Sequence, residues 1–509
     1  MAKRRKKEKL YGPVLVITCM MLFIAILSLI LKIIGFDSSM TVINNGTMET
    51  TLVTVKNIIS IEGLKYIVGQ TVSNLRLFEP LVLLIISLIG IGICEKSGFL
   101  YALFSPLKRV KLNIIIFFTV FLGVISSIIG DYSFIFLIPL IGVMYKYLGK
   151  NPALGIITVF LGITLGYGTG IIFNYNDYSL ALLTETAAKV DIDVNFGYTL
   201  LSNIYIMIVS TIIISFIMTI SINRFLVPKL STRYINTEEE QELIVDKKAK
   251  RTSLFIGLIL IIIFIYSIIP CKLPLSGILL DKDASRYMEQ LFGENSPFGN
   301  GISLLLTLLF IVCSYIYGKK SGNIKTSHDF SLGLSKNFEN LGFMFVLMFF
   351  ISEVSAIIEW TNIGKVFGSK LIEIVGSLQF SGLPLIIIFF IFIILMSILL
   401  PGTIDKWKIA SPVIIPLFMR SNITPNFTQF IFKVADGVGK SLTPFFTYYI
   451  IMLAFLEKYR KSEKKQVSVF GILKDMLPIV LIMMVTWILI ISIWYVMGLP
   501  IGVKTYPTL

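Results

Sequence analysis

Histidine is nearly missing from this chain: His328 is the only one in 509 residues, and it stands in a polar loop. A single imidazole argues against a histidine-rich zinc site or a Ser–His–Asp triad. Cysteine is scarce too. Cys19, Cys94, Cys271 and Cys313 show no CxxC spacing, and three lie in apolar runs. They read as small apolar filler rather than as a disulfide framework or metal site. Charged residues make up only 15%, far below the share a soluble surface requires. No Walker A sequence occurs, so nothing points to ATP-driven transport.

What the chain has instead is apolar length. Hydrophobic residues make up 55%, and the mean hydropathy is +0.86. Repeated runs of about 18 apolar residues or more indicate an all-α polytopic membrane protein. A net charge of +15 would suggest nucleic acid in a soluble chain. Here Lys and Arg cluster in a few short loops, the pattern of the positive-inside rule. Basic loops beside anionic lipid account for the charge without a nucleic-acid partner. The opening Met1-Ala-Lys-Arg-Arg-Lys-Lys-Glu-Lys9 resembles a signal n-region, but the run over 13–35 is too long and no small-residue cleavage site follows. The expectation is a first spanning helix in the cell (inner or plasma) membrane, N-terminus cytoplasmic.

The alternation of apolar runs and basic loops predicts nine helices and two hairpins. Residues 1–12 are a cytoplasmic basic tail. A first half, 13–222, holds helices at about 13–35, 78–95, 152 onward and 199–222, with an amphipathic segment at Val55–Leu75. A cytoplasmic linker spans 223–252. The second half, 253–509, holds helices at about 253–270, 299–317, 340–358, 425 onward and 470–497. Apolar arms at about 112–147 are divided by Gly130-Asp131 and flanked by basic residues on both sides. That reads as a re-entrant hairpin, with two short spans as the alternative. A second divided unit, about 383–419, turns at Pro401-Gly402.

Each hairpin precedes a helix that a proline opens and glycines then loosen. The first opens at Pro152 and loosens over Gly162, Gly166, Gly168 and Gly170, with a polar external loop expected at 182–198. The second opens at Pro425 and is expected to break at Asp436–Gly439. One unit starts inside and the other outside, an inverted-topology repeat of the kind that marks secondary transporters. Asp131, Asp177, Asp405, Lys406, Lys408, Lys433, Asp436 and Lys440 cluster at these breaks. Charge at membrane depth usually serves a pathway. Lys433 and Asp436, three residues apart, are alternatively a self-neutralising pair. Asp177 is open to a place in the external loop, and Asp405, Lys406 and Lys408 to exposure on a wet tip. Trp407 is either a packing anchor or a stacking platform.

Ordered matches then resemble a known family, the p-aminobenzoyl-glutamate transporter (AbgT) family of the ion transporter superfamily. They run from Val55-Lys-Asn-Ile-Ile-Ser-Ile-Glu-Gly-Leu64 through Gly149-Lys-Asn-Pro-Ala-Leu-Gly155, Gly166-Tyr-Gly168 and Trp360-Thr-Asn-Ile-Gly-Lys365. They end at Ala435-Asp436, Thr443-Pro444 and Leu499-Pro-Ile-Gly502. The resemblance covers nearly the whole chain. It implies a homodimer with a scaffold and a mobile transport core. It also implies secondary carriage linked to p-aminobenzoyl-glutamate uptake and proton-driven export of sulfonamide antimetabolites.

The family's important positions carry over to Asp177, Trp407, Pro425 and Asp436. The family's Arg three residues before the last of these is Lys433 here. Its Ser-Gly-Ser-Ala before the Trp is Pro401-Gly-Thr-Ile404, its Ser-Ser-Asp is Ile129-Gly-Asp131, an Asn is Gly170 and a Gln is Glu353.

The resulting expectation is an elevator-like carrier of a small anionic organic solute, coupled to H⁺ or Na⁺ and free of cofactors. Substrate contacts are expected at Trp407, Lys433, Thr403, Gly402, Pro425 and Gly130. Proton or cation coupling is assigned to Asp177, Asp436 and Asp131, with a possible Na⁺ near Gly168, Gly170 and Gly437. A dicarboxylate or amino-acid carrier is the alternative; a membrane-embedded enzyme is remote.

Overall fold

The computed structural model describes residues 12–44, 46–172, 174–191, 193–199, 201–230, 244–339, 341–460 and 466–509. The basic tail, save Gly12, lies outside the described residues. So do the acidic run of the linker (238–242) and the basic loop at 461–465.

The described chain is mostly helical, and nine of its helices are long and apolar enough to cross a membrane. Seven coincide with expected spans: Pro13–Ile34, Ile61–Ser97, Ile204–Leu230, Lys247–Tyr266, Pro297–Ser321, Gly342–Thr361 and Val469–Met497. The other two, Leu112–Ile129 and Gly382–Leu399, are the opening arms of the two hairpins. The proline-opened helices are shorter. Pro152–Leu165 has 14 residues, about 21 Å of rise against a hydrocarbon core of about 30 Å. The expected number is therefore met by a different set of helices.

Several elements depart from expectation. Residues 36–76 begin with an antiparallel β-hairpin, Asp37–Asn44 against Thr47–Thr54. The amphipathic helix starts only at Ile61, where the Ser60 hydroxyl accepts from the Gly63 amide. The loop expected at 182–198 is helical as far as Asp191, within Tyr175–Asp191. Its polar residues were misleading, because Thr184 and Glu185 are buried and partnered. The linker narrows from both ends. One helix runs on through a π turn, Ile222–Leu226, to Leu230. The next starts at Lys247, with the Asp246 carboxylate accepting from the Lys248 and Ala249 amides. An unexpected helix, Ile363–Ser377, follows a left-handed joint at Asn362.

Helix Pro425–Lys440 does not break at Asp436–Gly439. It ends at Ser441, three residues before Pro444, and helix Thr447–Lys458 resumes after the interruption. Gly437 and Gly439 remain helical and serve as contact points. A Cβ on Gly437 would lie 2.2 Å from the Thr164 carbonyl oxygen, and one on Gly439 2.5 Å from Ser397 Cβ. Gly437→Ala is thus expected to destabilise by about 1–3 kcal/mol through overpacking, despite alanine's better helix propensity. A melting curve of the purified variant checks this.

The segment before Pro297–Ser321 is tied down by Arg286. Its guanidinium donates to both oxygens of Glu185 (2.7 and 2.9 Å) and to Glu289 (2.6 Å). Glu185 is 5% exposed and also accepts from the Tyr198 amide at 2.7 Å. Arg286→Ala strands that carboxylate, and Arg286→Lys removes the fork. Both variants are expected to increase amide exchange in helix Tyr287–Phe292, the alanine variant more.

Candidate functional site

Both hairpin tips border a single cavity of about 410 Å³. Ile128, Ile129, Asp131 and Tyr132 come from the first tip, and Gly402, Thr403, Ile404 and Asp405 from the second. Tyr167, in the break after Pro152–Leu165, and Glu79, at the start of Glu79–Ser97, also line it, with Tyr175, Ser179, Asn300, Ser303 and Tyr448 among its other polar residues. The first tip turns at Gly130 with φ +60°, where a side chain would also press on Tyr175 at 3.1 Å. That position therefore favours glycine sterically. The second tip turns at Pro401-Gly402, and Thr403 opens the returning arm Thr403–Arg420.

Behind Thr403 lies a fully buried charge cluster. Asp436 Oδ1 meets the Lys406 ammonium at 2.5 Å and accepts from Ser397 Oγ at 3.1 Å. Its Oδ2 accepts from Thr403 Oγ1 at 2.6 Å and lies 3.4 Å from Lys440 Nζ. Lys440 donates to Thr403 Oγ1 at 2.5 Å and sits 3.9 Å above the Tyr167 ring. Asp436, Lys406 and Lys440 are each at most 1% exposed. With ionised side chains, two cations face one anion within the cluster, and the carboxylates of Glu79, Asp131 and Asp405 on the cavity wall face that excess.

A second buried pair joins the same helix to helix Tyr175–Asp191. Lys433 Nζ contacts Asp177 Oδ1 and donates to the Gly168 carbonyl at 3.2 Å. Gly168 has φ +78°, and a Cβ there would meet Lys433 Cβ at 2.7 Å. Its backbone thus comes close enough to receive the ammonium. Tyr198 Oη is 3.5 Å from Asp177 Oδ1, and Gln429 Nε2 donates to the Asp177 carbonyl at 3.2 Å. Gln429 Oε1 accepts from Thr184 Oγ1, which itself accepts from the Trp407 indole at 3.0 Å.

The expected residues divide accordingly. Asp131, Gly402 and Thr403 border the cavity, and Gly130 is the turn between the lining residues Ile129 and Asp131. Asp436 stands one residue behind it. Lys433 and Asp177 form a separate pair, so the alternative of a self-neutralised Lys433–Asp436 pair does not hold: each finds a partner on another element. Asp177 is buried in a helix rather than placed in an external loop. Of the second-tip charges, Asp405 and Lys408 are exposed while Lys406 is wholly buried. Trp407 is buried, its ring 4.4 Å from that of Phe432, and it does not line the cavity. Neither does Pro425, which opens its helix. Of the three glycines, the Gly168 carbonyl is taken by Lys433, and the Gly437 carbonyl accepts from the Ser441 amide at 3.4 Å. Gly170 lies in the break with φ +149°.

Sequence reasoning missed Tyr167, Glu79 and Ser397. Tyr167 stands between the two glycines of the break, and that was its only signal. Glu353 finds partners that the sequence did not reveal, accepting from Thr71 at 3.3 Å and Asn74 at 3.4 Å on the amphipathic helix. It ties helix Gly342–Thr361 to helix Ile61–Arg76.

Comparison with known proteins finds relatives over nearly the whole chain. The Escherichia coli (strain K12) p-aminobenzoyl-glutamate transport protein is 26% identical over 491 residues, covering 96% of this chain and 94% of its own. The solved structure of the Alcanivorax borkumensis YdaH transporter, described as having an unusual topology, matches at 25% identity and a TM-score of 0.50. It covers 97% of this chain and all of that one. The structure of Neisseria gonorrhoeae MtrF, described as illuminating a class of antimetabolite efflux pumps, is 24% identical with a TM-score of 0.48. It covers 98% of each chain. These relatives are transporters and not enzymes. The AbgT putative transporter family matches residues 4–509, and the chain belongs to that family.

Proposed function

We propose that this protein is a secondary active transporter of a small organic solute bearing a carboxylate, such as p-aminobenzoyl-glutamate-like compounds or sulfonamide-type antimetabolites. One observation carries this reading: both hairpin tips close on one cavity, directly in front of a buried cluster with an excess positive charge. Thr403 borders the cavity, donates to Asp436 and accepts from Lys440, so the cluster stands one side chain away from a solute carboxylate arriving there. The curated relative's name supports the aromatic amide class.

In this reading the hairpins are re-entrant and related by inverted topology. The two hairpins and the proline-opened helices move against a scaffold in an elevator-like step, within a homodimer in the cell membrane, N-terminus cytoplasmic. H⁺ or Na⁺ supplies the driving gradient, with Asp177, Asp436 and Asp131 as coupling groups, and no cofactor takes part. Trp407 and Pro425 position the site from behind rather than touching solute.

A second reading, an amino-acid carrier, is favoured by the cavity wall itself. Its charged members are Glu79, Asp131 and Asp405, with no Lys or Arg among them. Such a wall suits an ammonium group at the far end of the solute. Competition decides between them. Labelled p-aminobenzoyl-glutamate flux into proteoliposomes is measured against excess simple diacid or amino acid. Displacement by the amino acid but not the diacid supports the second reading; absence of any flux in either direction under both gradients overturns the first.

A further inference from the structure

Away from the charged core, a groove of about 620 Å³ opens between the first hairpin arm, Leu112–Ile125, and helix Ile204–Ser221. Ile114, Phe117, Phe216 and Ile220 form its apolar part. Phe216 is 61% exposed, Ile114 57% and Ile220 53%. In a chain of bilayer-crossing helices, such surface faces acyl chains rather than water.

One end of the groove is polar, where Asn113, Asn223 and Arg224 converge. Asn223 and Arg224 belong to the π turn Ile222–Leu226. Such turns widen a helix locally and recur at functional sites. Asn223 Nδ2 is held by the Thr219 carbonyl at 2.9 Å. Arg224 lies 5.9 Å from the Phe225 ring centre and pairs with no carboxylate among the described residues. The arm begins beside it without a side-chain cap at Lys111.

We propose that this groove binds one anionic phospholipid. Its phosphate lies against Arg224 and Asn113, and an acyl chain runs along Phe117, Phe216 and Ile220. The division of the groove into a charged end and an apolar trough matches a lipid and not a free anion. A guanidinium is the side chain best shaped for a phosphate, and basic pockets between spanning helices take anionic headgroups. The lipid would bridge a hairpin arm to its neighbouring helix. This inference stands apart from the identity of the solute.

The purified full-length protein is titrated in detergent with phosphatidylglycerol or phosphatidylcholine. Melting temperature and lipid retained in native mass spectrometry are recorded. Phosphatidylglycerol is expected to raise the melting temperature more than phosphatidylcholine, by mass action on the folded state. Arg224→Gln should bind it about fivefold more weakly, the effect of one lost basic contact near a membrane surface. Ile220→Trp, which fills the trough without altering charge, should lose the same lipid. Lys319→Gln, at another helix end, should keep the preference. The proposal is overturned if the unaltered protein responds equally to both lipids. It is overturned equally if Arg224→Gln and Ile220→Trp retain the phosphatidylglycerol preference, or if inorganic phosphate at the same concentration reproduces the shift.

Discussion

Asp436→Asn is expected to be the most damaging single substitution in this protein, and Lys406→Met much less so. The contrast follows from counting charge. Asp436 is the only carboxylate in ion-pair contact with Lys406 and Lys440 among the described residues. All three are buried. Neutralising it leaves two ammonium groups facing each other without a counterion. Breaking a buried pair typically costs about 3–5 kcal/mol, because the remaining charge keeps its desolvation penalty. Lys406→Met removes one of two cations and leaves Asp436 paired with Lys440, a balanced arrangement. Melting temperature should therefore fall steeply for Asp436→Asn and little for Lys406→Met. The double variant should recover part of the loss, since Lys440 alone then stays unpaired. Equal effects of the two single substitutions would contradict the charge count.

Lys433→Met is the second large effect. It strands Asp177, which is 2% exposed and whose other carboxylate oxygen is buried without a hydrogen-bond partner among the described residues. The expected cost is again about 3–5 kcal/mol. Asp177→Asn strands Lys433 but leaves it the Gly168 carbonyl, so it should cost less. The double variant Asp177→Asn with Lys433→Met should be more stable than Lys433→Met alone, with a coupling energy of about 1–3 kcal/mol in a double-mutant cycle. Lys433→Arg should not restore full stability. The Lys433 stem packs so closely on Gly168 that a Cβ there would lie 2.7 Å from the Lys433 Cβ, and a planar guanidinium needs more room than an ammonium.

The fold was legible wherever a signal is local. Proline at a helix start marked Pro152 and Pro425 correctly, Gly130-Asp131 marked the first tip and Pro401-Gly402 the second. The signal failed where a polar sequence is buried. Thr184, Glu185 and Gln429 look like surface residues until Trp407, Arg286 and the Asp177 backbone supply their partners. Gly437 and Gly439 look like helix breakers until the close approach of Thr164 and Ser397 gives them another purpose.

The site was half legible for the same reason. Its titratable members could be named from the sequence, but not their pairing, because spacing along one helix says nothing about what a second helix presents. Lys433 and Asp436 sit on one face and pair in two different directions. Tyr167 carries only the signal of its flanking glycines and Glu79 none; the meeting of the two tips gathers them, and Ser397 is found only through its bond to Asp436.

The central claim is that the cavity between the tips, with Asp436 behind it, carries solute. Flux of labelled p-aminobenzoyl-glutamate in proteoliposomes under an imposed pH or Na⁺ gradient tests it most directly, with Asp436→Asn compared to the unaltered protein at equal reconstituted amount. The account predicts gradient-dependent flux that Asp436→Asn abolishes while Lys319→Gln leaves it unchanged. Intact flux and intact coupling in a folded Asp436→Asn variant would contradict it.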